Sequence, residues 1–334
     1  MPGMITHYLC GELCLGRLQE SEMGGVIKRH RQIYNLGTQG PDFFFFYIPC
    51  LIKPRLYRLG NVMHNSNVGQ FFRSLFTNTM KLEGSERDAA LSYICGYLTH
   101  YALDTNTHPY IYYRSGFKTE GDSRPSLHYS IMHRKFETNL DILMLKLATG
   151  KAPADKKLWQ LINVDRRQAA STASVISGGL MDVYGIRLSH RQVYRAMSSM
   201  VMISRVLQSR SGRRKRLIGA VEGLLMPQKG YLTSLIHDQA ADGGNDYLNL
   251  GGEPWYYPWD NPSLEETNRQ HQAFTDMFEK STDDAVALIE GFGRFVSGEL
   301  EIDAFLQAIG NKSFTTGQDC SAKLDFLYHA AAHG

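Results

Sequence analysis

His100, Asp104 and His108, followed by His133 and Glu137, are residue types that grip divalent metal, and they recur at the spacing of helical turns. In an α-helix, residues four apart share a face with Cβ atoms about 5–6 Å apart. His100, Asp104 and His108 therefore form one line of side chains, and His133 and Glu137 repeat the geometry on a second helix. Imidazole nitrogen and carboxylate oxygen are ligands of Zn²⁺, and two helices that each present such a pair can close a site between them. The chemistry expected is that of a multinuclear zinc site. A lone His-x3-Asp pair is ordinarily a surface hydrogen bond or a buried His satisfied by a carboxylate. Here there are two pairs and an extension, and the first lies in YICGYLTHYAL, too apolar for a solvated face. Burying three polar groups there is costly unless something compensates them. A metal would.

The elements that must position these residues follow from the flanking sequence. Pro109 lacks a backbone donor and is expected to end or kink the first helix at His108. The loop RSGFKTEGDSRPS then leads to a second helix over about 127–148. His128 also lies there, but five residues before His133 it points away from the His133 and Glu137 face. Upstream, ITHYLCGELCL suits a helix of about three turns that carries His7. The segment QIYNLGTQGPD breaks at Gly37, Gly40 and Pro41 and sets Asp42 before an aromatic run, where it reads as a helix N-cap. His64 lies just ahead of an amphipathic helix started by Asn65, Ser66 and Asn67, where a lone His is ordinarily a loop residue. Beyond Gly150, His190, His237, His271, His329 and His333 have no carboxylate at comparable helical spacing. Further helices are expected at 159–176, 189–208, 215–226, 265–296 and 302–309, with few alternating strand patterns anywhere. The expected fold is all-α, a single compact multi-helix domain over 1–334 in which 151–334 braces the metal-site region 1–150.

A chain of 334 residues with 43% hydrophobic and 21% charged side chains is globular, which excludes disorder or a fibrous repeat. Lys+Arg 36 against Asp+Glu 33 gives a net charge of +3, so contact with nucleic acid or membrane must rest on local features. The N-terminus MPGMITHYLCGELCLG lacks the pattern of a secretory signal, which sets the expected location as cytoplasmic. Cys10, Cys14, Cys50, Cys95 and Cys320 are scattered, without CxxC spacing, and fit buried thiols in a reducing compartment. The longest apolar run, FFFFYIPCLI, contains Pro49 and is too short to span a bilayer. The basic run SRSGRRKRL suits contact with phosphates or a lipid surface, or more plainly a solvated loop between helices. The cluster Trp255, Tyr256, Tyr257 and Trp259 either lines a substrate pocket or packs a long loop onto the helices.

The series formed by His7, the GPD ending at Asp42, His64, the His100-x3-Asp104 helix, His108 and the His133-x3-Glu137 helix resembles the zinc-dependent phospholipase C family. The resemblance covers roughly residues 1–145, and the family shares its all-helical fold with the single-strand-specific zinc nucleases. It implies three zinc ions in one cleft. Asp42, His64, His100 and Asp104 would hold the first, His108, His133 and Glu137 the second, and His7 with Asp104 the third. Two departures stand out. In secreted family members an N-terminal Trp completes the third site, whereas this chain starts Met-Pro with no Trp before Trp159; and the first His after the helical Asp comes four residues on rather than six. Two zinc ions are therefore expected, and a third only if its site is complete without that Trp.

Water held between two zinc ions is acidified toward neutral pH while the metals neutralise charge on phosphoryl oxygens, so the expected reaction is phosphodiester hydrolysis. The resemblance gives Asp42 a second role, orienting or deprotonating the nucleophile. The aromatics 43–47 and Tyr110, Tyr112 and Tyr113 suit a choline-like cation or lipid chains, and equally suit stacked bases. The GPD-aromatic motif and the HYALD helix look closer to the bacterial lipases, so a phospholipid or related phosphodiester, with transient membrane-surface contact, is favoured over nucleic acid. The alternatives are a single-strand nuclease and a non-catalytic, metal-stabilised helical protein.

Overall fold

Every residue from Ala89 to Asp104 is buried, and a helix covered on all faces must run through the middle of its domain. The computed structural model of the chain describes residues 3–56, 58–153, 156–208, 212–225, 230–238, 240–241, 246–260 and 268–330. In chain order the helices are α1 (Met4–Arg17), α2 (Glu22–Arg29), α3 (Arg31–Gly37), α4 (Ile48–Ile52), α5 (Leu59–Asn65), α6 (Val68–Met80), α7 (Gly84–Ser115), α8 (Ser126–Thr149), α9 (Leu158–Leu161), α10 (Ala170–Tyr184), α11 (His190–Leu207), α12 (Arg213–Leu225), α13 (Phe274–Val296) and α14 (Ile302–Ile309). Tight 3-10 turns occupy Asp42–Phe46 and Thr233–Leu235. Among the described residues there is no strand, only the isolated bridges Trp255↔Gln270 and Lys312↔Asp319. The fold is all-α, as the sequence leads one to expect.

α7 is flanked by α3 on one side and α13 on another, with α1 and α8 packed against it and each other. The approach to α3 is close: a Cβ added to Gly96 would fall 2.2 Å from the Tyr34 carbonyl oxygen. A side chain there would push the two helices apart.

Several local expectations need correction. α7 does not stop at Pro109 but continues to Ser115. The lost backbone bond is offset by anchoring on both sides of the proline, where His108 Nδ1 lies 2.6 Å from the Phe314 carbonyl and the Tyr110 hydroxyl donates to the Tyr247 carbonyl at 2.9 Å. The helix expected at 159–176 is two, α9 and α10, because Asp165 accepts from the backbone N–H groups of Arg167 and Gln168 and turns the chain. The one expected at 265–296 begins at Phe274; Gln270 before it pairs with Trp255, and 261–267 lie outside the described residues. The basic run is helical from Arg213 onward rather than a loop, with 209–211 outside the described residues. Trp255 is buried against Tyr110 and Trp259 stacks on Tyr257, so this cluster packs its loop. All five cysteines are free, four of them buried.

Candidate metal centre

α7 delivers His100, Asp104 and His108 to one side, and α1, the Asp42–Phe46 turn, α5 and α8 bring the remaining donors to them. Asp104 is the hub. Its Oδ1 lies 3.2 Å from His7 Nε2, and its Oδ2 lies 3.1 Å from His100 Nε2 and 3.8 Å from His64 Nε2. Asp42 Oδ1 sits 3.2 Å from His64 Nε2 and 3.7 Å from His100 Nε2. A second group stands one turn along α7, where His133 Nε2 and Glu137 Oε1 are 2.8 Å apart and the His108 ring lies nearly parallel to that of His133 at 5.9 Å. Three sets of donor atoms fall within 4.8 Å of one another: His7, Asp42 and His100; His64, His100 and Asp104; His108, His133 and Glu137. Every sequence-derived site residue is in one of them, and His128 is in none.

Two expectations change at this point. Asp42 is not an N-cap: Pro41 takes that position and no capping bond is made, leaving the buried carboxylate to face the histidines. His64 is not in a loop but buried on α5.

The residues fit a metal by a test internal to the structure. Imidazole Nδ1 of His64 bonds the Gly60 carbonyl at 2.6 Å, that of His100 the Thr38 carbonyl at 3.2 Å, and that of His108 the Phe314 carbonyl. A carbonyl only accepts, so each Nδ1 carries the proton and each Nε2 presents a lone pair inward, as metal-ligating histidines do. Both nitrogens of His7, Nε2 of His64 and of His100, Oδ1 of Asp42 and both oxygens of Asp104 are buried without a hydrogen-bond partner. Unpaired buried polar atoms are costly, and a cation accepts the lone pairs among them, one from each neutral imidazole and those of the two carboxylates.

The electrostatics agree. Burial, aided by the neighbouring His100, lowers the His7 pKa to about 4, and burial also lowers His64, His108 and His133, so the imidazoles stay neutral. Burial pushes the Asp42 carboxyl well above the usual range, with Asp104 adding to the effect. Burial would do the same to Asp104, but the rings of His100, His108 and His7 outweigh it and hold that carboxyl well below its usual range. Glu137, opposed by burial but drawn down by His133, titrates at about 2.

The outer triad opens into a cavity of about 680 Å³ whose lining includes His64, Phe45, Tyr112 and Lys118. Phe43, Phe44 and Tyr110 belong to the core instead. A smaller, mainly apolar cavity of about 130 Å³ adjoins it, sharing Phe46, Arg134, Glu137 and Leu235 as a wall.

Four supporting features appear only in the fold, although the first, Gly40, stands in the sequence as a break within the GPD motif. Gly40, at φ 49°, packs so closely on His100 that a Cβ would come within 2.2 Å of the ring, so only glycine serves there. Asp141 is fully buried and accepts from Ile5 N, Thr6 N and Thr6 Oγ1 at 3.1, 2.7 and 2.6 Å, pinning the first turn of α1, and with it His7, to α8. His237 Nε2 completes that carboxylate's shell at 2.8 Å. Phe314, from beyond α14, gives its carbonyl to His108 and packs its ring on His64 and His100. For Asp141, His237 and Phe314 the advance signal was that Asp141 follows Glu137 by one more helical turn.

The model of the zinc dependent phospholipase C family matches residues 4–183, and no curated protein and no solved structure matches the chain. The match spans more than half of the sequence, and the chain belongs to this family.

Proposed function

From that membership, we propose that the protein is a zinc-dependent phosphodiester hydrolase that releases a phosphorylated headgroup from a phospholipid or a related phosphodiester. The observation that carries this reading is a buried ring of unpaired donor atoms that meets a cavity through the His108, His133 and Glu137 triad. Asp42, His64, His100 and Asp104 would hold one zinc ion and His108, His133 and Glu137 a second, while His7 with Asp104 would hold a third only where those donors complete a site. Bound there, zinc supplies Lewis acidity, which makes water acidic near neutral pH and neutralises charge growing on phosphoryl oxygens.

The chain's own groups do the rest. The three carbonyls that fix Nδ1 of His64, His100 and His108 prevent those rings from turning. Asp42, assigned to the first zinc, would also orient or deprotonate the attacking water, the second role the resemblance gives it. Tyr112, its ring 4.6 Å from that of His133, and Phe45 offer aromatic faces to the substrate. Phe314 and His237 lie beyond the family match and support the centre, so the whole chain serves as one helical unit.

The test offers zinc-loaded protein short-chain phosphatidylcholine, single-stranded DNA and RNA, and bis-nitrophenyl phosphate, each with and without chelator. Chelator-sensitive headgroup release is expected. Hydrolysis of nucleic acid alone would move the protein to the nuclease alternative, and no turnover on any of these substrates at full zinc loading would favour the non-catalytic one.

A further inference from the structure

The small net charge conceals a sharp asymmetry. Residues 43–82 contain five cations and no Asp or Glu, and residues 183–221 contain nine cations and again no acid. The rest of the chain is correspondingly acidic. The two basic segments meet in the fold, since α11 packs on the Asp42–Phe46 turn that leads into α4. They also border the cavity lined by His108, His133 and Glu137, because Ile48 from the first, Ile203 from the second and Leu232 all line it.

This basic rim carries aliphatic side chains in water. Ile52 on α4 is 71% exposed beside the exposed Lys53 and Arg55. Met202 and Val206 stand exposed one turn apart on α11. α12 starts with Arg213, Arg214, Lys215 and Arg216 and then exposes Leu217, Val221 and Leu224, the last at 85%. Those three fall at i, i+4 and i+7, a single stripe along one face. The helix is tied to the cavity rim: the Glu222 carboxylate accepts from Leu232 N and, at 2.9 Å, from Thr233 Oγ1. Of the α12 cations Lys215 pairs with Asp238, while Arg213 and Arg216 are exposed.

We propose that this rim is a docking surface for anionic lipid. Cations alone would suit any polyanion, but a nucleic acid returns nothing for the exposure of Ile52, Val221 and Leu224. A lipid interface takes up both, the aliphatic stripe in the acyl boundary and the arginines among anionic headgroups. The mouth of the cavity then faces the headgroup layer. The inference goes beyond the metal chemistry and does not depend on it.

The experiment is co-sedimentation of the full zinc-loaded chain with vesicles of phosphatidylcholine alone and of phosphatidylcholine with one third phosphatidylglycerol, at low salt and at about 1 M salt, where the Debye length is ~3 Å. The anionic vesicles are expected to bind at least about tenfold tighter, with the difference collapsing at high salt. Arg213→Glu/Arg216→Glu and, separately, Ile52→Ser/Leu224→Ser should each weaken binding by about tenfold or more. Zinc content and melting temperature, read alongside, should match the parent and show that both variants fold. Equal binding to both vesicle types, or full retention of binding by the serine variant, would overturn the proposal. So would tighter binding to single-stranded DNA than to the anionic vesicles. Since sedimentation reads no turnover, an inactive protein that still binds would sink the catalytic reading and leave this one standing.

Discussion

The inner ring of His7, Asp42, His64, His100 and Asp104 and the outer triad of His108, His133 and Glu137 use the same donor types in different surroundings. Inner side chains are at most 4% exposed, and most of their inward atoms lack hydrogen bonds. In the outer triad His133 and Glu137 are 15% and 11% exposed and already bond each other. A cation in the inner ring relieves buried groups that nothing else satisfies, whereas one in the outer triad replaces a hydrogen-bonded contact between His133 and Glu137 that stands without it. Inner metal should therefore be part of the fold, and outer metal should exchange and meet substrate.

The largest effect expected from this contrast is at Asp104. Asp104→Asn removes the charge that the inner ring surrounds, and breaking a buried charge cluster costs about 3–5 kcal/mol. Zinc per chain should collapse, and kcat/KM should fall by about a thousandfold or more. A variant that kept full zinc loading would break the division into a structural ring and an exchanging triad. Chelation of the parent should likewise lower the melting temperature, since metal bound only by the folded state stabilises it.

Next in size is a pH effect on the metal-free protein. Burial lowers the His7 pKa from 6.5 to about 4, so the unfolded chain binds the additional proton between those values. Stability from this group is present above pH 6.5 and is lost as the pH falls toward 4, roughly 3 kcal/mol in all. Asp42, raised in the folded state, works in the opposite sense, losing stability as pH rises. Denaturant titrations of metal-free Asp42→Asn against pH should therefore show the loss plainly, and a flat profile across that window would contradict the buried neutral imidazole.

Glu137→Gln should strip the outer ion while leaving inner zinc, with activity down about 10–100-fold. His128→Ala should change neither, and equal losses in the two variants would erase the distinction between faces of α8. The smallest effect should come from His237→Ala, which takes one of the four bonds from Asp141 and costs about 1 kcal/mol of stability. Melting curves check it, and zinc content should be unchanged.

What the sequence made legible was local. Five of the eight donors stand at four-residue spacings within two helices, and periodicity alone places them together. Asp42 reads locally as a helix cap because its immediate neighbours offer a helix start, whereas the resemblance assigns it to metal, and only the fold shows that Pro41 takes the cap. Asp141, His237 and Phe314 act across gaps of roughly a hundred residues or more, and no local pattern encodes such pairings. Pro109 is the reverse case, a strong local signal overruled by His108 and Tyr110 on either side of it.

That overruling has a mechanical consequence. Because α7 runs unbroken through its 32 residues, the offset between the two clusters is fixed by helical pitch, as on a ruled rod, rather than by a loop that can drift. One residue inserted between Asp104 and His108 would turn His108 by about 100° about the helix axis and advance it by about 1.5 Å, aiming it away from His133. Insertions between α7 and α8, at the exposed tip around Glu120 to Arg124, should leave both clusters intact. Variation in length is thus tolerated beside the centre and forbidden along its spine.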